Sequence, residues 1–208
     1  MHTNPAFRQT SQAEAIAVAR ARSFGMLCLN GADGPLVSHI PFELAADASH
    51  ALLHLARPNP IARAALPQQA VLVVSGPDAY VSPDWYGGED QVPTFNYVAI
   101  HLRGTLAPLP QDMLHAHLDR LSAQFEQRLA PKKPWTSGKM SEGAMDRMMR
   151  MILPFRLQIS SVESTFKLNQ NKTAEQRAGA IGGIRAAGIG QETATLADLM
   201  AADLITKD

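Results

Sequence analysis

Short apolar runs broken by turn residues fill the first half of the chain, and beyond Pro110 the apolar residues recur at helical steps instead. Before the runs begin, a periodic segment from Gln12 to about Arg22 predicts an amphipathic helix. Ser11 is its N-cap, and Glu14, three positions on, completes a capping box. The runs Gly25 to Leu29 and Pro35 to Leu44 flank the turn Asn30-Gly31-Ala32-Asp33-Gly34 and read as a hairpin. A third run, Ala51 to Ala56, follows the polar turn Asp47 to His50. A fourth, Ala70 to Ser75, follows a short helical segment around Pro60 to Leu66. After Gly76-Pro77 come Ala79 to Ser82 and then Thr94 to Leu106, separated by the loop Pro83 to Pro93. About six strands at this spacing predict a closed or nearly closed antiparallel barrel.

Leu114, Leu118, Leu121, Phe125 and Leu129 predict a helix covering one barrel face. Met145, Met148, Met149 and Ile152 form a second helical stripe, expected in the core or in dimer packing, and Phe155 to Val162 returns to strand alternation. Two helices, roughly Thr173 to Ala187 and Thr193 to Ile205, are joined at Gly188. The fold class expected is mainly β with α: a barrel domain over 1–172 with its covering helices, and a C-terminal helical tail over 173–208.

A chain of 208 residues has room for one well-buried domain rather than two. Its lone cysteine, Cys28, excludes an internal disulfide framework, and no run approaches the roughly 20 apolar residues of a membrane span. A cytoplasmic protein with no membrane partner is expected. Nineteen basic residues balance nineteen acidic ones, so the charge excess that accompanies nucleic-acid binding is absent. The tail helices have the outline of a helix-turn-helix, but the second carries Glu192, Asp198 and Asp203 where a recognition helix needs basic or amide groups. DNA as a partner is therefore unsupported by charge.

Two stretches could carry chemistry. His54-Leu55-Ala56 runs into Arg57-Pro58-Asn59-Pro60, where guanidinium, amide and backbone N–H groups can converge on an anion; read without a ligand, Arg57 is a solvated loop residue and Asn59 a helix cap. Tyr80 to Tyr86 and Val92 to Tyr97 set aromatic rings and short polar side chains on either side of one loop, a mix suited to a flat cofactor or simply to closing the barrel end. His39, His54 and His101 lie on predicted strands, yet one cysteine and no carboxylate at ligand spacing argue against a metal site. P-loop, nucleophile-elbow and GxGxxG patterns do not occur, so NTPase, hydrolase and Rossmann readings have no support.

In order along the chain, several motifs resemble the PaiB-like family of FMN-binding negative transcriptional regulators. They are Ser23-Phe24-Gly25, Ser38-His39-Ile40-Pro41-Phe42, Ala56-Arg57-Pro58-Asn59-Pro60, Gly76 to Tyr86, Val92 to Tyr97 and Phe166-Lys167-Leu168-Asn169-Gln170-Asn171-Lys172. The chain departs from the family pattern at Asp78, Phe95 and Asn169, where His, Trp and Ser are expected. The resemblance implies a split β-barrel of Greek-key type, a homodimer, and FMN as cofactor. It further implies that His39, His54, Arg57 and Asn59 attend the phosphate, that Tyr80, Ser82, Trp85, Thr94 and Asn96 border the flavin ring, and that Lys167 and Gln170 belong to a segment returning to the interface. The function implied is a flavin-binding regulator. The alternatives are an FMN-dependent oxidoreductase, or a related barrel taking another flat ligand such as haem; no catalytic acid or base stands out.

Overall fold

In the computed structural model, which describes residues 1–205, the described residues form six strands and five α-helices joined by loops and short 3-10 turns. The strands are β1 Phe24–Gly31, β2 Gly34–Leu44, β3 His50–Ala56, β4 Gln68–Val81, β5 Thr94–Pro108 and β6 Ile152–Lys167. The helices are α1 Gln12–Arg22, α2 Leu114–Glu126, α3 Ala144–Met149, α4 Ala174–Ala187 and α5 Thr193–Ile205. A closed barrel follows the order β1-β2-β3-β6-β5-β4, with β4 returning to pair antiparallel with β1. The expected capping box of α1 forms: the Glu14 carboxylate accepts from the Ser11 N–H at 2.9 Å, and the Glu14 N–H donates to Ser11 Oγ at 3.2 Å.

The chain divides into two compact units. The first comprises 16–74 and 101–162, and it contains β1, β2 and β3 whole, together with the stretches of β4, β5 and β6 that complete their ladder. Strand alternation turns Leu27, Leu29, Ile40, Phe42, Leu53, Leu55, Leu72 and Val74 inward, where they meet Leu102, Leu106, Phe155 and Leu157. Gly104 lets β5 approach β6 closely: a Cβ there would stand 1.9 Å from the Gln158 carbonyl. From α1, the Arg20 guanidinium donates to the carbonyls of Leu44 at 2.6 Å and Ala45 at 2.7 Å, tying the helix to the end of β2.

The second unit comprises 1–15, 75–100 and the residues from 163 onward. Its core gathers Ala79, Val81, Val98, Ile100, Phe166 and Leu168 with Ile181, Ile184, Leu196 and Met200 from α4 and α5. A capping box between Thr173 and Gln176 starts α4, and Gly188, at φ 62°, ends it in the left-handed region. The Trp85 indole lies against Gly183, where a Cβ would come within 2.1 Å of the ring.

Three details depart from the sequence reading. The strand β4 runs unbroken through Gly76-Pro77, because Gly76 marks a close approach rather than a turn: a Cβ there would meet Val98 Cβ at 2.7 Å. The last strand, β6, is about twice its expected length; Pro154 and Phe155 are buried side by side, which breaks the alternation that a sequence pattern relies on. Of the two roles expected for the methionine stripe, core or dimer packing, the core role does not hold: α3 is six residues long, Met148 is 59% exposed, and Ile152 already belongs to β6.

Candidate functional site

In the first unit the expected phosphate residues stand on β2, on β3 and in the turn that follows β3. His39 is exposed on β2 and stacks at 6.5 Å on the exposed Phe24 ring. Its neighbour Ser38 accepts a hydrogen bond from Asn59 Nδ2 at 2.9 Å, while Asn59 Oδ1 caps the Pro60–Arg63 turn by accepting from the Ile61 N–H at 2.9 Å. The exposed Arg57 donates through Nε to the Arg150 carbonyl at 2.5 Å, and its Nη2 lies 3.5 Å from Gln111 Oε1. The geometry thus gives Asn59 a structural task and, among the described residues, gives Arg57 Nη1 no protein partner. An exposed guanidinium with an open donor, near in sequence to a polar strand turn, fits an anionic phosphate.

His54 faces another way. Its Nδ1 lies 3.4 Å from His117 Nε2 of α2, and His117 Nδ1 lies 3.1 Å from Glu43 Oε2. Arg120 Nε donates to the other Glu43 oxygen at 2.6 Å. The carboxylate requires a proton on His117 Nδ1, so His117 Nε2 accepts from His54 Nδ1, and His54 Nε2 is left as a lone pair. Burial, and then the neighbouring His117, hold the His54 pKa down at about 4. Burial also lowers that of His117, against the raising effect of Glu43. At neutral pH His54 is therefore an acceptor, suited to a hydroxyl group rather than to a phosphate oxygen.

The second unit holds the residues expected along the flavin ring. Thr94 and Lys167 are brought together, with the ammonium donating to Thr94 Oγ1 and to the Phe95 carbonyl, the latter at 2.7 Å. Tyr80 makes edge contacts with Trp85 at 6.3 Å and Phe95 at 5.9 Å. Ser82 precedes the Pro83–Tyr86 turn without capping it. Asn96 is fully buried, with Nδ2 directed at Met200 Sδ at 3.4 Å and Oδ1 without a partner. Gln170 closes its own turn through the Phe166 carbonyl and the Leu168 N–H. Thr94, expected along the ring, and Lys167, expected in the segment returning to the interface, line a cavity of about 410 Å³ that Tyr86, Asn169 and Lys172 also line.

Glu43 and His117 were missed in the sequence; Asn169 and Lys172 were not singled out within the returning segment, and Tyr86 was included only as the end of the Tyr80 to Tyr86 stretch. Tyr86, Asn169 and Lys172 sit inside the motifs quoted above, so motif membership was the available signal. Glu43 and His117 are 74 positions apart, and no local pattern links them. Among the described residues, no group of three or more His, Cys, Asp or Glu side chains is placed to hold a metal ion.

Residues 1–161 match the family model described as "Putative FMN-binding domain". The chain belongs to this FMN-binding family. The family's cofactor is FMN, and the member described here is a flavin-binding split-barrel protein. It is 28% identical over 169 residues to "Protease synthase and sporulation protein PAI 2" of Bacillus subtilis (strain 168), a match covering 80% of each chain. The FAD and haem binding protein of Mycobacterium smegmatis superposes with a TM-score of 0.57 at 19% identity, covering 89% of this chain and 82% of that one. A flavocytochrome of Azotobacter vinelandii gives a TM-score of 0.57 at 14% identity, covering 80% and 72%. Likeness at these identities carries the fold alone. Among the described residues, no helix is long and apolar enough to cross a membrane.

Proposed function

We propose that the protein is a homodimeric, PaiB-type flavoprotein with a regulatory role, exerted through its bound flavin rather than by direct contact with DNA. The observation that carries this reading is the ordered set of PaiB motifs from Ser23 to Lys172, within a chain that matches the FMN-binding family over residues 1–161. The helix pair α4–α5 supports the second half of the reading. Leu196, Ala197 and Met200 of α5 are buried, and Arg185, the basic residue in the last turn of α4, is paired with Asp198 at 2.6 Å. That surface offers phosphates little free positive charge.

In this proposal Arg57 and His39 hold the FMN phosphate, Asn59 fixes the turn that carries Arg57, and His54 Nε2 accepts from a hydroxyl. Bound FMN would supply electron acceptance and donation; the protein supplies position and electrostatics. A second copy of the chain is the proposed partner of the outer face of β1 and β2, where Phe24 and Val37 are 53% and 54% exposed.

The experiment is an absorbance spectrum of the purified full chain after FMN addition and desalting, followed by DNA retention at physiological salt. Stoichiometric flavin without sequence-specific DNA retention is expected. Loss of all flavin on desalting would overturn the cofactor assignment, and tight operator binding would overturn the indirect route. A second reading, an FMN-dependent oxidoreductase, is favoured by the 410 Å³ cavity, whose size suits a small substrate. Oxidation of a nicotinamide donor by the FMN-loaded protein tests it.

A further inference from the structure

Lys167 and Lys172 line one cavity of about 410 Å³ built wholly from residues of the second unit. The Lys167 ammonium uses two of its three donors on Thr94 Oγ1 and the Phe95 carbonyl, and Lys172 uses one on Gln91 Oε1. Each therefore keeps donor capacity. Asp90, the acidic residue of the lining, is exposed, so the lining carries two positive charges against one negative. Both ammonium groups also lie near aromatic faces, Lys172 at 4.8 Å from the Tyr86 ring centre and Lys167 at 5.9 Å from that of Phe7.

Asn169 is the second, independent observation. It lines the same cavity and is 2% exposed. Its Oδ1 accepts from the Tyr86 hydroxyl at 3.3 Å, whereas its Nδ2 has no hydrogen-bond partner. Buried amide donors are almost always satisfied, so an unpartnered one in a cavity wall points to an acceptor supplied from outside the chain. Its backbone is held at φ 61° within the turn that also carries Gln170 and Lys172. Burial lowers the Lys167 pKa, a desolvation that a bound anion would offset.

We propose that this cavity is an oxyanion seat, in which Lys167, Lys172 and Asn169 Nδ2 bind the carboxylate or phosphate-ester end of a small organic molecule other than the flavin. All three groups are donors, which matches the acceptor-only oxygens of such an anion. A phosphate or carboxylate alone fills only part of the volume, and Phe7 and Tyr86 line the remainder with ring surface for an organic body.

Inorganic phosphate is the probe, titrated into the full chain with and without FMN and followed by the linewidth of its phosphorus resonance. Saturable binding in both forms is expected. Lys172→Met should weaken it about tenfold or more, corresponding to about 1.4 kcal/mol, and Lys172→Arg should restore it. Gln91→Glu, a change at the rim that sets a carboxylate against Lys172, should weaken it in the same way, and it keeps the test open if Lys172→Met does not fold. Equal phosphate binding by wild type and both weakening variants would overturn the assignment, as would no binding at all. Displacement of phosphate by FMN but not by riboflavin would also overturn it, because the seat would then be the cofactor's own.

Discussion

His117, buried to 2% exposure on α2, stands between two groups of opposite character: a Glu43 oxygen 3.1 Å from its Nδ1 and the His54 imidazole 3.4 Å from its Nε2. The chain Glu43, His117, His54 fixes a proton on the Nδ1 of each ring and keeps both rings uncharged at neutral pH. The unfolded chain, whose histidines titrate near 6.5, takes up protons first as pH falls. The stability contributed by neutral His54 is therefore complete above about pH 6.5 and is lost as pH falls toward its folded value of about 4. The full swing is about 3 kcal/mol at most. Urea denaturation midpoints should drop between about pH 7 and pH 4.5, and His54→Gln should flatten that drop; a midpoint independent of pH would remove the imidazole pair as its source.

Glu43→Gln tests the other end of the same chain. It takes the charge from the carboxylate that Arg120 and His117 both use, and it withdraws the influence that raises the His117 pKa. A loss of about 1–3 kcal/mol is expected at pH 7, read from chemical unfolding.

Arg57→Ala separates the two roles proposed for this side chain. Loss of its bond to the Arg150 carbonyl should lower stability by about 1 kcal/mol. Loss of a phosphate ligand should weaken FMN markedly while riboflavin affinity changes little, as measured by fluorescence quenching. Equal weakening of both flavins would take Arg57 away from the phosphate.

Gly183→Ala puts a methyl group where the Trp85 ring already lies. The indole must shift, at a cost of about 1–3 kcal/mol, and its fluorescence maximum should move with it. Unchanged emission together with unchanged stability would show that the contact yields freely.

Val37→Lys charges the outer face of β2 beside the exposed Phe24 face. Sedimentation should show a dimer in the wild type and a monomer in the variant, with a similar unfolding midpoint for each subunit at low concentration. A monomeric wild type would dispose of the proposed partner copy.

The barrel was legible because inward-facing residues on β1, β2 and β3 alternate cleanly and the turns between them carry Gly, Asp and Asn. Legibility failed where a residue served a distant neighbour. Gly76 read as a turn since nothing local announces that Val98 needs the space, and the methionines read as core or dimer packing, because periodicity records spacing but not what covers it. Motifs pointed to candidate residues without saying what each would touch. Asn59 could be read as a cap from its place before Pro60, whereas the pairing of Thr94 with Lys167 and of His54 with His117 could not be read at all. Hydrogen bonds between residues tens of positions apart leave no periodic trace for a sequence to reveal.

His2 donates its backbone N–H to Thr165, a partner 163 positions further along. Both belong to the unit assembled from 1–15, 75–100 and the residues from 163 onward. During synthesis the ribosome must pass residue 163 before that unit can close, while every residue of the other has been made by position 162. A nascent chain therefore carries His2 without its Thr165 partner until β6 has been made, and the order of synthesis sets the order in which the two units can mature.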